Sequence, residues 1–100
     1  MSNNQNQPKN QPQIQIKITD DVLRGVYANA MQVIHTPEEF VLDFMNLSPH
    51  QGVGIVNSRV IISPGHLKRI IAALQDNIAK YEATSGKIQA AESPSEIGFN

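Results

Sequence analysis

The sequence predicts an α+β domain: an antiparallel β-meander of three to four strands, followed by one long C-terminal amphipathic helix packed on one sheet face. Three observations carry this reading. Short runs rich in Val, Ile and Phe show period-two patterning and are separated by turn residues. The last run, Arg59-Val60-Ile61-Ile62, feeds directly into Ser63-Pro64-Gly65, a helix-start signal. Leu67, Ile70, Ile71, Leu74, Ile78 and Tyr81 then recur at three-to-four spacing, which gives a helix one apolar stripe.

Residues 1–13 are mostly Asn and Gln, interrupted by Pro8 and Pro12. They have nothing to bury against the entropy of ordering and read as a disordered tail. Ile14, Ile16 and Ile18 alternate with Gln15 and Lys17, the pattern of a half-buried edge strand. Thr19 or Asp20 can cap one helical turn through Val22-Leu23-Arg24, which Gly25 ends. Residues 26–35 form the second strand candidate. Ala28, Ala30 and Met31 would also suit a helix, but Val33-Ile34 is β-branched, and Thr36-Pro37-Glu38 makes a tight connection with Pro37 at position i+1 of a type I turn.

Residues 39–47 are the third strand, with Phe40, Leu42 and Phe44 on one face and Val41, Asp43 and Met45 on the other. Ser48-Pro49-His50-Gln51-Gly52 is a loop. Residues 54–63 are the fourth strand, with Val56, Val60 and Ile62 on one face and Ile55, Asn57, Arg59 and Ile61 on the other. Ser63 caps the helix, Pro64 takes its first position, and Gly86 is the candidate C-terminal cap. The organisation is therefore a tail over 1–13, a single domain over 14–88 and a flexible tail over 89–100.

The composition narrows the function classes. One hundred residues make one small domain, and a body near ~70 residues buries little surface and often adds core by oligomerising. A net charge of −1 argues against a nucleic-acid binder, which would carry a basic field. With no cysteine there is neither a disulfide framework nor a cysteine-based metal site or nucleophile, which fits a cytoplasmic protein. No apolar run is long enough to span a bilayer, and no secretion signal is visible.

No catalytic constellation stands out, and no enzyme activity or cofactor is expected. His35, His50 and His66 fall at a strand end, in a loop and in the first helical turn, without metal-ligand spacing. The serines lack a nucleophile elbow, and Gly52-Val53-Gly54 leads into a strand where a phosphate loop would lead into a helix. Asp43 lies mid-strand, and Arg59 lies in the next strand. If the two strands pair, they meet across the ladder as a structural ion pair. His66, Lys68 and Arg69 cluster at the helix start, where an anion is electrostatically favoured. The three do not share one face, however, and a solvated helix surface explains them.

The apolar excess is more informative. One helix covers one side of a sheet. The other side is left with a mixture of Ala28, Ala30, Ile34, Val41, Met45, Ile55 and Ile61, depending on register. Exposed patches of this kind mark interfaces, most commonly of symmetric homo-oligomers. The candidate interaction residues are Tyr27, Asn29, Asp43, Met45, Ile55, Arg59 and Ile61. The candidate anion-binding residues are His66, Lys68 and Arg69.

Four segments occur in order: Gly25-Val26-Tyr27-Ala28-Asn29, Glu39-Phe40-Val41-Leu42-Asp43-Phe44, Ser58-Arg59-Val60-Ile61-Ile62-Ser63-Pro64, and Leu74-Gln75-Asp76-Asn77-Ile78-Ala79-Lys80-Tyr81-Glu82. Together they resemble a family of small, mostly bacterial proteins known as a domain of unknown function, over residues 14–88. Ser85-Gly86-Lys87-Ile88 departs from that pattern, which places an aromatic before the glycine and an acid after it. The resemblance implies no activity, cofactor or catalytic residue. The order of elements is also similar to that of SecB-like export chaperones, which assemble through their sheets; that analogy implies binding of extended polypeptide. The expected function is a homo-oligomeric interaction domain that binds protein or peptide. The alternative is a small-ligand or nucleic-acid module using the basic helix start.

Overall fold

A computed structural model describes residues 12–92. The tails read from composition, 1–13 and 89–100, lie largely outside this range. The elements in chain order are a short helix α1 (Asp20–Leu23), strands β1 (Ala30–His35), β2 (Phe40–Ser48) and β3 (Val53–Ile62), and the long helix α2 (Pro64–Ser85). A single 3-10 turn, Pro49–Gln51, joins β2 to β3. The three strands form one antiparallel sheet in the order β1-β2-β3. The α+β class and the meander-then-helix order follow the sequence reading.

Turn chemistry explains the connections. In the β1–β2 hairpin the Thr36 hydroxyl oxygen accepts from the backbone N–H groups of Glu38 and Glu39, both at 3.2 Å, and the Thr36 N–H donates to the Glu39 carbonyl at 2.9 Å. Between β2 and β3, Gly52 closes the turn with its N–H on the Pro49 carbonyl at 3.1 Å. It does so at φ 66°, a left-handed conformation that costs glycine almost nothing. At the next connection the Ser63 hydroxyl accepts from the His66 N–H at 3.2 Å, and Pro64 starts α2 where no N–H is needed. The helix ends before Gly86, as the sequence suggests. Beyond it, the Glu82 carboxylate accepts from the Ile88 N–H at 2.8 Å and holds the chain near the last helical turn.

Four details differ from expectation. Residues 14–18 form no strand, and their isoleucines stand in solvent, Ile14 at 79%, Ile16 at 88% and Ile18 at 58% exposure. The segment has the pattern of a strand but no neighbouring strand among the described residues. β1 begins at Ala30, four residues later than expected; before it, Tyr27 and Asn29 are tied to β3 and β2 chiefly through the side chains of Asn57 and Asn29. In β3, Phe44 lies opposite Ser58 but Met45 lies opposite Val56, so Asn57 is an additional residue in a β-bulge. The bulge reverses the alternation, moving Val56 to the face of Met45 and Ile55 to the face of Phe44. Finally, the stripe of α2 is not covered by the sheet along its length. Leu67 and Ile70 are half-buried, but every residue from Ile71 to Tyr81 is exposed.

The register sorts the sheet into two faces. One carries Met31, Val33 and His35 from β1, Phe40, Leu42 and Phe44 from β2, and Val60 and Ile62 from β3. The other carries Ala30, Gln32 and Ile34, then Val41, Asp43 and Met45, then Arg59 and Ile61, with Val56 beyond the bulge. Both faces are apolar. Among the described residues, Met45 alone is a buried apolar side chain, at 5% exposure.

Candidate interaction surface

The second face is organised by polar groups that hold its framework. Gln32, Asp43 and Arg59 lie in register across the three strands. Arg59 meets Asp43 with both prongs of its fork, Nε on Oδ1 and Nη2 on Oδ2, each at 2.7 Å. This is the cross-strand ion pair that the sequence suggested, in bidentate geometry. Asp43 keeps only 13% of its side chain exposed, while Arg59, at 60%, spreads over it. The two hydrogen bonds from Arg59, reinforced by its charge, hold the Asp43 carboxyl below the usual carboxylate range against an opposing push from desolvation. The same bonds raise Arg59 further. Each charge is thus satisfied by the other.

Two asparagines tie residues 27–29 to this framework. Asn29 acts as a substitute ladder residue. Its Oδ1 accepts from the Leu47 N–H at 2.8 Å, its Nδ2 donates to the Leu47 carbonyl at 3.0 Å, and its backbone N–H donates to the Met45 carbonyl at 3.1 Å. Asn57, pushed out by the bulge, donates through Nδ2 to the Tyr27 carbonyl at 2.7 Å. Leu47 lies across Gly54, where a Cβ would run into its Cδ2 methyl, so any larger residue there would make the Leu47 side chain shift.

The candidate residues therefore divide. Asp43, Arg59, Asn29 and Asn57 are architectural, and Asn57 was not singled out from the sequence; a lone amide inside a β-branched run is its only signal. Met45 is buried, so it is corrected from surface contact to core. Ile55 is corrected to the opposite face by the bulge. Tyr27 and Ile61 are exposed as expected, together with Ile34 and Val56. His66, Lys68 and Arg69 are all exposed on α2, where the helix N-terminus already uses the Ser63 cap.

The histidines do not join the Asp43–Arg59 pair into a cluster. His35 lies on the opposite face, with its ring 5.2 Å from that of Phe40. His50 belongs to the 3-10 turn, and His66 to the first turn of α2. Among the described residues, no three His, Asp or Glu side chains are placed to share a metal ion. No helix among them is long and apolar enough to cross a membrane.

The surface also carries exposed apolar side chains on every side. Ile34, Val56 and Ile61 are exposed on the Asp43 face; Met31, Val33 and Val60 on the other; Ile71, Leu74, Ile78 and Tyr81 along α2. A family model described as a protein of unknown function (DUF3467) matches residues 1–90. No curated protein and no solved structure matches the chain.

Proposed function

The chain belongs to the DUF3467 family of proteins of unknown function, and we propose from its surface that it is a non-enzymatic, cytoplasmic interaction domain. In this reading it homo-oligomerises through an apolar sheet face and binds protein or peptide. The observation that supports it is that Met45 is the one buried apolar side chain among the described residues, while both sheet faces and the helix stripe keep apolar side chains exposed. Ordering the backbone costs ~1–2 kcal/mol per residue. Beside Met45, the apolar side chains of the strands, such as Phe40, Leu42, Phe44 and Ile62, are only half-buried in the single chain, so burial offsets that cost poorly. A second copy that covers one of the two apolar sheet faces, or the stripe of α2, supplies the missing burial.

Sedimentation equilibrium of the full chain at micromolar concentration tests this. A dimer or larger species is expected, and Leu74→Glu, at a side chain 59% exposed in the single chain, is expected to weaken it. A folded, stable monomer at those concentrations would refute the reading.

A further inference from the structure

Residues 14–18 have the alternating pattern of a strand but form none, and β1 is a sheet edge without protection. The isoleucines at 14, 16 and 18 alternate with Gln15 and Lys17, yet form no ladder with any strand among the described residues. β1 is the outer strand of the sheet, and its sequence AMQVIH contains no Lys, Asp, Glu or Pro and no bulge. Sheet proteins ordinarily blunt an exposed edge with such devices. The other edge, β3, has them: Arg59 and the bulge at Asn57. An unblunted edge is the normal state of a strand that is occupied.

We propose that residues 14–18 of one copy add to the β1 edge of a second copy, and reciprocally, so that two three-stranded sheets exchange their N-terminal strands. This rests on the self-association proposed above and names its contact.

The faces match. With the isoleucines on the side of Met31 and Val33, the added strand extends the apolar row that continues through Leu42, Phe44 and Val60. Gln15 and Lys17 then fall on the side of Gln32, Asp43 and Arg59. They prolong a polar row and bring a cation toward the carboxylate side of the Asp43–Arg59 pair. The opposite orientation would set the isoleucines beside Ala30, Gln32 and Ile34, on the face that carries the Asp43–Arg59 charges. Lengths match too, a five-residue alternation against a six-residue strand.

The surface involved is of a useful size. Three isoleucines this exposed offer on the order of 200 Å² of apolar area. Counting the edge they cover and the symmetric repeat, strand exchange accounts for roughly 800 Å², about half of the ~1,600 Å² used by a stable pair. Met31, Val33 and Val60, exposed on the same extended face, are available for the remainder.

The test uses the full chain, whose lack of cysteine makes disulfide mapping clean. Chains carrying Ile16→Cys alone and chains carrying Met31→Cys or Val33→Cys alone are mixed and mildly oxidised. A covalent pair between the two kinds of chain is expected, and it can arise only between copies. In parallel, sedimentation compares the parent chain with Ile16→Lys, a change at a side chain already in solvent in the single chain. Its dimer dissociation constant is expected to rise roughly a hundredfold, because the contact is lost twice per symmetric dimer, with unchanged helix content by circular dichroism. A dimer that ignores Ile16→Lys and yields no mixed disulfide overturns strand exchange while leaving self-association intact. Cross-linking of Val33→Cys chains only with each other overturns it in favour of β1-to-β1 pairing. An intrachain disulfide in an Ile16→Cys, Val33→Cys double variant, without a mixed product from the single variants, overturns it in favour of pairing within one copy. A parent chain that is monomeric throughout overturns both proposals.

Discussion

Replacing Asn29 by alanine removes a side chain that does the work of a strand residue. Its two amide atoms exchange hydrogen bonds with both backbone groups of Leu47, at 2.8 and 3.0 Å, within the normal range for such bonds. A net contribution of ~0.5–1.5 kcal/mol per bond gives about 1–3 kcal/mol for the pair. Asn29 is exposed, and water can replace it at Leu47, so the lower part applies and about 1–2 kcal/mol is expected. For a domain of this size that lowers the melting temperature by roughly 4–16 °C. Asn57→Ala removes one bond, 2.7 Å to the Tyr27 carbonyl, and is expected to cost about half as much. Urea unfolding followed by circular dichroism measures both, at one fixed protein concentration because association shifts apparent stability. The double variant should lose less than the sum, since both side chains hold the same segment and freeing it once devalues the second tether. An Asn29→Ala chain within about 0.3 kcal/mol of the parent, a difference typical of neutral surface changes, would show that residues 27–29 are not held by this clamp. An Asn57→Ala effect larger than that of Asn29→Ala would show that the bulge, not the amide pair, is the anchor.

Three further outcomes are expected. Because Arg59 depresses the Asp43 carboxyl, the stability it brings is present above the ordinary carboxylate value of about 4 and is lost as pH falls through the lower folded value. Urea midpoints at pH 7 and pH 3 should therefore differ less for Asp43→Asn than for the parent chain. Gly52→Ala should cost about 1 kcal/mol, purely from the left-handed backbone, because a Cβ there meets nothing within 4 Å; Gly52→Asn should cost less, read in the same urea experiment. Reversing the cross-strand pair, Asp43→Arg with Arg59→Asp, should restore part of the stability that either single change loses; no recovery in thermal melts would mean that position in the ladder, not charge pairing, decides.

The legible parts of this fold are those specified by short-range chemistry. Thr36-Pro37 announces a hairpin, Ser63-Pro64 a helix start, and Phe40, Leu42 and Phe44 a strand with one apolar face, and each forms as the local pattern dictates. Asp43 and Arg59 could be matched because both lie mid-strand in neighbouring runs. Three things were not legible. Asn57 shifts the alternation by one residue, and a bulge leaves period-two patterning on each side intact while exchanging the faces, so Ile55 and Val56 trade places. Asn29 reaches a backbone eighteen residues away, a contact that no local signal encodes. Residues 14–18 have the composition of a strand, but propensity sets a conformation and cannot supply the edge it needs.

The uncovered helix has a similar cause. β3 ends at Ile62 and α2 begins at Pro64, leaving Ser63 as the whole connection. Connections between a strand and a helix that packs back on its own sheet commonly take 2–6 residues. Here Ser63 is extended and capping, Pro64 has a fixed φ, and the direction of the helix is set at that joint before its stripe meets anything. At ~1.5 Å per residue, twenty-two residues carry α2 about 33 Å from that joint. Its first two turns keep Leu67 and Ile70 half-buried, and its later turns carry Leu74, Ile78 and Tyr81 into solvent. In proteins most of the stability of such a helix comes from packing its amphipathic face. Under the proposed association, the stripe and the isoleucines at 14, 16 and 18 have one explanation: each is a half-contact whose other half is carried by a second copy.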